Sequence, residues 1–184
     1  LAESGIVLNR RSVVITTWGE WRRRHPDTLV LDIDTGYERD YGEGKAYESY
    51  YATDELMFNT PFRDQRLKNK DEVLALVFPE APEETLAIAQ DYLLENPLHH
   101  DRVGDLELVV LTDASGGNRV YATEGVRFES WDRQMTAVDS TGAIWKLTES
   151  ALEGPDGRTL SRLPSQRVFW FGWLASYPQT RLVK

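Results

Sequence analysis

The residues best suited to chemistry in this 184-residue chain are two adjacent histidines and the aspartate after them, His99, His100 and Asp101. Imidazole and carboxylate groups are common metal ligands. Adjacent residues in an extended segment point to opposite sides, so both imidazoles reach one metal only if the segment is sharply turned. We therefore expect no metal and no other cofactor. The three residues are weak metal candidates, and Asp101 is expected to form a turn.

Two kinds of catalytic chemistry have candidate residues, but neither has a distinctive pattern. With 30 acidic residues in the chain, two carboxylates close in sequence carry no information, because their separation in space decides acid–base chemistry. The carboxylates considered are Asp32, Asp34, Asp40, Asp113 and Asp139. Ser115, in "DASGG", lacks the glycine two residues earlier that a nucleophile elbow requires. The sequence thus assigns no catalytic residue, and it favours a function other than catalysis.

The overall charge excludes one class of partner. The chain has 21 Lys and Arg against 30 Asp and Glu, a formal net charge of −9. Nonspecific nucleic-acid binding depends on neutralising phosphates, so we expect no nucleic-acid partner. The run Arg22–Arg24 fits a solvated helix C-terminus, where cations are favoured.

Other absences in the sequence narrow the chemistry further. The chain contains no cysteine, which excludes disulfides, thiolate metal sites and cysteine nucleophiles. No apolar run approaches the roughly 18 residues of a membrane span, so no transmembrane segment is expected. The first residues lack the layout of a signal peptide, and any targeting segment is expected to have been removed already.

A sequence element near the start of the chain recurs at its end. "TTWGEWRRRHPDTLVL" superposes on "VFWFGWLASYPQTRLV" at an offset of 152, which aligns Trp18 with Trp170 and Trp21 with Trp173. Thr17 and Glu20 fit a capping box, and Pro26 must end the helix. The extended "TLVLDI" after it predicts a strand. Tryptophans three apart on a helix are usually packing residues, so we expect five core anchors: Trp18, Trp21, Trp145, Trp170 and Trp173.

Residues 35–51 hold five of the eight tyrosines among glycines and charges. The segment has neither a helical nor a strand period, so it predicts a long structured loop. Loops of this length are often functional, which makes five residues candidates for binding a partner or ligand: Tyr37, Tyr41, Tyr47, Tyr50 and Tyr51. The alternative is a flap that covers the core with its rings inside and its hydroxyls in water.

The remaining patterns predict mostly strands. Residues 71–78 and 106–113 are strand-like, "VRFESW" alternates, and residues 119–123 and 134–148 complete two hairpins. "PEETLAIAQDYLLEN" predicts a helix over 82–96, with a proline at its start and acids in its first turn. The fold class is therefore α+β: mainly antiparallel hairpins with a few short helices, and the Trp-x-x-Trp turn–helix–strand element at both termini.

The last third of the chain resembles a known family. "STGAIWKLTESALEGPDGRTLSRLPSQRVFWFGWLASYPQT" resembles the end of domain of unknown function 3179: an acidic hairpin, a Gly-Pro-x-Gly-x-x-Leu loop and a Trp-x-x-x-x-Pro-x-Thr ending. "TTWGEWRRRHPDTLVLDIDTGYERDY" resembles the same ending with its usual tail. The resemblance implies a fold and an extracytoplasmic location, periplasmic or secreted. It implies no reaction.

The chain departs from that family at its most reactive positions. Better-preserved members carry a His-Glu-x-x-Asn-Asp stretch and a Cys-Pro-Leu-Cys-Gly-Ser stretch. Here the first is reduced to "PLHHDRVG", and the second is "TDASGG", with Thr112 and Ser115 where the cysteines would stand. Neither hydroxyl replaces a thiolate as a soft-metal ligand or redox centre.

The resemblance leads to a division of the chain and to a ranked set of functions. Residues 1–55 are expected to be the tail of a first repeat unit with the Tyr-rich loop, and residues 56–184 a second unit packed as one body. Incomplete repeats expose apolar faces that need covering. We therefore expect a non-enzymatic binding or assembly module that docks a protein partner, or another copy of itself, through aromatic surface. The alternatives are a hydrolase using acidic residues near the Tyr-rich loop and a weak metal-binding protein.

Overall fold

The strands and helices of the chain are short and follow one another closely. A computed structural model describes residues 11–61, 64–78 and 81–184, and of residues 81–83 it describes the backbone alone. The helices in these ranges are α1 (Trp18–Arg24), α2 (Glu48–Tyr51), α3 (Gln90–Glu95) and α4 (Trp170–Ser176). The first six strands are β1 (Glu72–Phe78), β2 (Ala81–Ala89), β3 (Leu98–Val103), β4 (Leu106–Thr112), β5 (Asn118–Ala122) and β6 (Phe128–Trp131). The others are β7 (Thr136–Asp139), β8 (Ile144–Leu147), β9 (Ala151–Glu153), β10 (Thr159–Ser161), β11 (Gln166–Phe169) and β12 (Arg181–Val183).

The strands form three sheets. Sheet A has the order β11-β1-β2-β12, sheet B the order β3-β4-β5, and sheet C the order β10-β9-β8-β7-β6. All pairings are antiparallel except that of β12 with β2, which is parallel. The predicted class, mainly antiparallel β with short helices, is confirmed.

The core is a stack of layers, and β4 lies in its middle. Leu108 and Val110 on one face of β4 pack with sheet A side chains such as Leu86. The alternate residues Val109 and Leu111 pack with sheet C, against the fully buried Trp145 and its neighbours. A third cluster lies on the outer face of sheet A, where α4 covers it. The order of layers is therefore α4, sheet A, sheet B and sheet C.

The helix predicted over 82–96 is wrong for most of its length. Residues 81–89 form β2, and only Gln90–Glu95 is helical, as α3. Leu86 and Ile88 face sheet B while Ala87 faces α4, so β2 is buried on both sides. A strand buried on both faces reads as a continuous apolar run, which mimics a helical face in a short window.

The strand predicted for "TLVLDI" does not form either. Residues 28–33 have no regular secondary structure, whereas the matching segment at the end of the chain is β12. The two segments differ in their neighbours, because β12 pairs with β2 and no described strand pairs with residues 28–33. Backbone groups left unpaired by a sheet are solvated instead.

The five tryptophans predicted to anchor the core fall into two groups. Trp145, Trp170 and Trp173 are buried, as anchors should be. Trp18 and Trp21 are 50% and 41% exposed, so the prediction that they anchor the core is wrong for this chain. No residue of α1 is buried, and none of the core clusters in the described part of the chain includes its tryptophans. Within the described ranges, no helix is long and apolar enough to cross a membrane.

Candidate functional site

The local sequence fully accounts for α1. The Thr17 hydroxyl accepts a hydrogen bond from the Glu20 N–H at 3.2 Å, which is one half of the predicted capping box. Glu20 pairs forward instead of back: its Oε1 lies 2.7 Å from Arg23 Nη2 and 2.6 Å from Arg24 Nε. The hydrogen bond from Arg23, helped by Arg24 and opposed by partial burial, lowers the pKa of Glu20 to about 2. Glu20 is therefore ionised and fixes the last turn of the helix.

Helices α1 and α4 are built alike in detail. The Trp21 indole donates to the Thr28 hydroxyl at 2.9 Å, and the Trp173 indole donates to the Thr180 hydroxyl at 3.0 Å. The ring stacked on each tryptophan differs: His25 lies 4.0 Å from Trp21 between centroids, and Tyr177 lies 4.3 Å from Trp173. Both helices therefore share the same exit geometry, although one is solvated and the other is buried.

Helix α4 packs on the outer face of sheet A. Trp170, Trp173 and Leu174 pack on small side chains of sheet A: Val73, Ala75 and Ala87. The chain then turns and adds β12 beside β2, with Arg181 opposite Leu86. Helix and strand together close one face and one edge of the sheet.

The corresponding apolar residues in and after α1 are exposed to solvent. We call the set Trp18, Trp21, Leu29, Val30, Leu31 and Ile33 the α1 surface. Its aliphatic members are the more exposed, with Leu29 and Leu31 at 95% and 93%. Large exposed apolar groups close together in sequence are uncommon in a sealed monomer and mark surfaces that bind.

The Tyr-rich loop continues this exposed region. Tyr37, Tyr41, Tyr47 and Tyr51 are exposed, and Met57 and Phe58 extend the region beyond the loop. Tyr50 is different: it is half-buried, with the Lys70 ammonium 3.9 Å from its ring centroid and the Phe169 ring 6.4 Å away. The four exposed rings do not form an inward-facing flap. They stay binding candidates, although the Tyr51 ring also packs against Tyr50 and Phe169. Tyr50 packs within the chain.

The histidine pair lies in β3, and its two rings face opposite sheets. His99 pairs with the Tyr92 hydroxyl at 3.1 Å and lies 3.5 Å from Asp101. His100 donates from Nε2 to the Phe128 carbonyl oxygen at 2.9 Å and stacks on the Phe128 ring. Both imidazoles are thus engaged separately. Among the described residues, no three His, Asp or Glu side chains cluster closely enough to hold a metal.

Asp101 is a strand residue, so the prediction that it forms a turn is wrong. It lies in β3 opposite Leu108, and its Oδ1 accepts a hydrogen bond from Arg181 Nη2 at 2.8 Å. Burial opposes ionisation, but hydrogen bonds from His99, Arg181 and the Arg102 amide outweigh it and lower the pKa of Asp101 to about 2. Asp101 therefore ties sheet B to the end of the chain as a carboxylate.

Two carboxylates considered for catalysis close hairpins instead. Asp113 Oδ1 accepts from the Ser115 hydroxyl at 2.6 Å and from the Gly117 amide at 2.9 Å. Asp139 Oδ1 accepts from the Thr141 hydroxyl at 2.6 Å and from the Ala143 amide at 3.0 Å. The pattern Asp-x-Ser/Thr-Gly occurs at both places, "DASG" and "DSTG", and builds the same Asx turn.

The second oxygen of each carboxylate holds a different buried group. Asp113 Oδ2 accepts from Arg119 at 2.8 Å, and Asp139 Oδ2 accepts from the Trp145 indole at 2.8 Å. Burial raises both pKa values, but the hydrogen bonds outweigh it, so the pKa of Asp113 is lowered and that of Asp139 falls to about 2. Both carboxylates are saturated with donors and ionised, which suits a structural role.

A polar cavity of about 160 Å³ lies between α1 and the body of the protein. We call it the arginine cavity, since it is lined by Arg24, Arg119 and Arg162. Segment 12–16 forms one wall: Val13 N–H donates to the Ser165 carbonyl oxygen at 2.8 Å, and Arg162 Nη2 donates to Ser12 Oγ at 2.9 Å. Arg24 was predicted to belong to a solvated helix end, yet its side chain is only 13% exposed.

Comparison with known protein families identifies the family of this sequence. The sequence profile of the family described as "Protein of unknown function (DUF3179)" matches residues 2–180. The chain belongs to the DUF3179 family. Comparison with curated proteins and with solved structures found no match.

The positions where the resemblance to the DUF3179 family puts cysteines are both engaged. Thr112 is buried, and its hydroxyl accepts from the Asn118 amide at 3.0 Å. Ser115 bonds Asp113 and shares a 2.7 Å hydrogen bond with the Thr16 hydroxyl. In this member, therefore, the two hydroxyls stabilise the β4–β5 turn and hold the segment that leads into α1.

Sequence reasoning missed the arginine cavity. Arg24, Arg119 and Arg162 are far apart in the chain, and only the fold brings them together. One weak signal was available, because arginine at position 119 lies in the interior of β5, between buried neighbours. Buried arginines usually pair with acids or bind anions.

Proposed function

We propose that this protein is a non-catalytic binding and assembly module that docks a protein partner through the α1 surface. The single observation that carries the proposal is the contrast between α1 and α4. The two helices share one exit geometry, but among the described residues a sheet packs on α4 and none packs on α1. The extracytoplasmic location is part of this proposal and rests on the family resemblance alone.

The α4 packing indicates what kind of partner fits. A helix like α1 suits a sheet face of small residues such as Val73, Ala75 and Ala87. A segment like residues 28–33 suits the open edge of a strand, which it would extend in parallel as β12 extends β2. The partner is thus a further DUF3179-family unit on a separate polypeptide, with its β1–β2 pair uncovered.

A second copy of this chain is a poorer partner. Its own α4 already covers sheet A, and its own β12 already occupies the edge of β2. Displacing them would require an intermolecular contact to outcompete an intramolecular one of the same kind. The partner unit must therefore lack its own closing helix and strand.

The aliphatic side chains of the α1 surface contribute about as much free energy as association costs. Burying four aliphatic side chains of the α1 surface at about 1.5–3 kcal/mol each contributes about 6–12 kcal/mol. Association costs about 4–15 kcal/mol before any affinity appears. Trp18 and Trp21 are needed as well, since aromatic anchors dominate interfaces. The exposed tyrosines Tyr37, Tyr41 and Tyr47 extend the surface, because Tyr is enriched at interfaces.

No specific observation favours the hydrolase alternative. The carboxylates with shifted pKa values in the described part of the chain are all shifted downward: Glu20, Asp64, Asp101, Asp113, Asp132 and Asp139. A general acid at neutral pH requires the opposite shift. We therefore do not propose catalysis at these residues.

Photo-crosslinking in the natural source tests the proposal. The variant Leu31→p-benzoylphenylalanine places the reactive ketone in the α1 surface, and Ile144→p-benzoylphenylalanine is the control, at a site 56% exposed on β8. We expect the first variant alone to form an adduct with a strand of a separate DUF3179-family protein, located by mass spectrometry. Adducts confined to copies of this chain, adducts with proteins of other families, or equal yields from both positions would overturn the proposal.

A further inference from the structure

The arginine cavity is short of negative charge. Three guanidinium groups line it, those of Arg24, Arg119 and Arg162. Two carboxylates line it with them, those of Glu20 and Glu149, whereas Asp113 lies outside the lining and is paired with Arg119 at 2.8 Å. The lining thus carries three positive charges against two negative, in a chain whose overall net charge is −9. A local positive site in an acidic protein attracts small anions.

Arg162 has the weakest internal compensation. Its Nη1 donates to the Glu149 backbone carbonyl at 2.9 Å and its Nη2 to the Ser12 hydroxyl, but its buried Nε has no hydrogen bond. No described carboxylate forms an ion pair with it. Burial, with the like charge of Arg119, lowers the pKa of Arg162. Arg162 is half-buried, and a cation withdrawn from water without a paired counter-charge is costly.

Arg24 also leaves a donor without a partner at this cavity. Arg24 Nη2 is buried without a hydrogen bond, and its nearest paired oxygen, Asp113 Oδ2, is 3.7 Å away. Glu20 is shared between two arginines, and the side chain of Glu149 is 68% exposed. The hydroxyl of Tyr121, fully buried and without a hydrogen bond, interacts electrostatically with the three cavity arginines.

We propose that the arginine cavity binds a small tetrahedral oxyanion of the phosphate or sulfate type. Guanidinium groups are the preferred donors to such oxygens. Here they approach from separate elements, α1, β5 and the segment after β10, and the Thr16 hydroxyl lines the same cavity. Donors from several directions match a tetrahedral acceptor better than a planar one.

The size of the cavity limits the ligand. Its volume of about 160 Å³ is well below the about 300–1,000 Å³ of sites that take drug-sized molecules. A free anion or a terminal phosphate group fits, whereas a nucleotide does not fit inside. Because α1 supplies Arg24, an anion held there would also fix α1 against the body of the protein.

Titration calorimetry on the full chain with inorganic phosphate, at constant ionic strength balanced by sodium chloride, tests the inference. We expect saturable binding to the unmodified protein and a rise in its melting temperature with phosphate concentration. Arg162→Met should weaken phosphate binding about tenfold or more, because it removes a charged donor. Acetate, a planar carboxylate, should bind more weakly than phosphate.

A second variant covers the case in which Arg162→Met fails to fold. Arg24→Met changes a helix that has no buried residue, so the core does not depend on it. Its matched control is Arg22→Met, which removes the same charge from an exposed position of the same helix. We expect weaker phosphate binding for Arg24→Met and unchanged binding for Arg22→Met.

Three results would overturn the inference. The first is a melting temperature that responds to phosphate no more than to chloride at equal ionic strength. The second is equal phosphate affinity in Arg24→Met, Arg22→Met and the unmodified chain. The third is acetate binding as tight as phosphate binding, which would contradict the tetrahedral ligand class.

Discussion

Trp21 and Trp173 lie 152 positions apart, and each donates its indole N–H to a threonine seven residues later, at 2.9 and 3.0 Å. Trp21 is 41% exposed and Trp173 is 4% exposed. The same local structure therefore exists with and without a covering sheet. The helical element folds by its own hydrogen bonds, and its burial is decided by what lies beneath it.

The two tryptophans provide the first prediction. Trp173→Ala should lower the free energy of unfolding by about 3–5 kcal/mol, because it opens a cavity between α4 and sheet A. Trp21→Ala should cost about 1 kcal/mol or less in the purified chain, since the side chain is largely solvated. Urea unfolding of both variants measures the difference, and equal costs would mean that Trp21 is buried in solution.

The Asp139 carboxylate provides the second prediction, which concerns stability against pH. Its native pKa of about 2 is below its ordinary value of 3.8, so ionisation favours the folded state. The stabilisation is present above about pH 4 and is lost as the pH falls toward 2. Asp139→Asn should therefore unfold more easily at pH 7, because its amide N–H₂ would face the Trp145 indole donor. The cost expected for a buried donor left unpaired is about 1–3 kcal/mol.

Unfolding measured from pH 7 to pH 2 checks that expectation. The difference in the free energy of unfolding between Asp139→Asn and the unmodified chain should shrink on acidification. Asp156→Asn, in the exposed turn before β10, is the matched control and should track the unmodified chain. A gap that stays constant down to pH 2 would show that ionisation of Asp139 does not stabilise the fold.

Two glycines provide a third prediction, with opposite signs. A Cβ on Gly154 would lie 2.9 Å from the buried Trp145 ring, so Gly154→Ala should destabilise by about 1–3 kcal/mol. A Cβ on Gly172, inside α4, meets nothing within 4 Å. Gly172→Ala should therefore stabilise by about 0.5–1 kcal/mol through helix propensity. Thermal unfolding reports both, and a destabilising Gly172→Ala would contradict the packing of α4.

Much of the fold could be predicted because hairpins carry local signals. The turns at "DASGG" and "DSTGA" combine an aspartate with glycine or small residues, and the flanking strands alternate. β2 could not be distinguished from a helix, because Leu86, Ala87, Ile88 and Ala89 form one apolar run. Burial on both faces creates that run, and only the tertiary fold reveals it.

The candidate surface was only half predictable. The repeated Trp-x-x-Trp element indicates both helices correctly, but a helix sequence does not state whether a sheet will lie against it or a strand will follow it. The pattern therefore predicts core positions for Trp18 and Trp21 as well as for Trp170 and Trp173, and only the second pair is buried. The arginine cavity depends on contacts across long sequence distances, which no local pattern encodes.

Hydrogen exchange at the amides of Leu29, Val30 and Leu31 tests the central claim most directly. In the purified chain these residues are coil, so their amides should exchange as fast as an unstructured peptide. In the native particle, taken intact from the natural source, we predict protection of at least about a hundredfold, comparable to that of Arg181–Val183 in β12. Equally fast exchange in both preparations would contradict docking of the α1 surface.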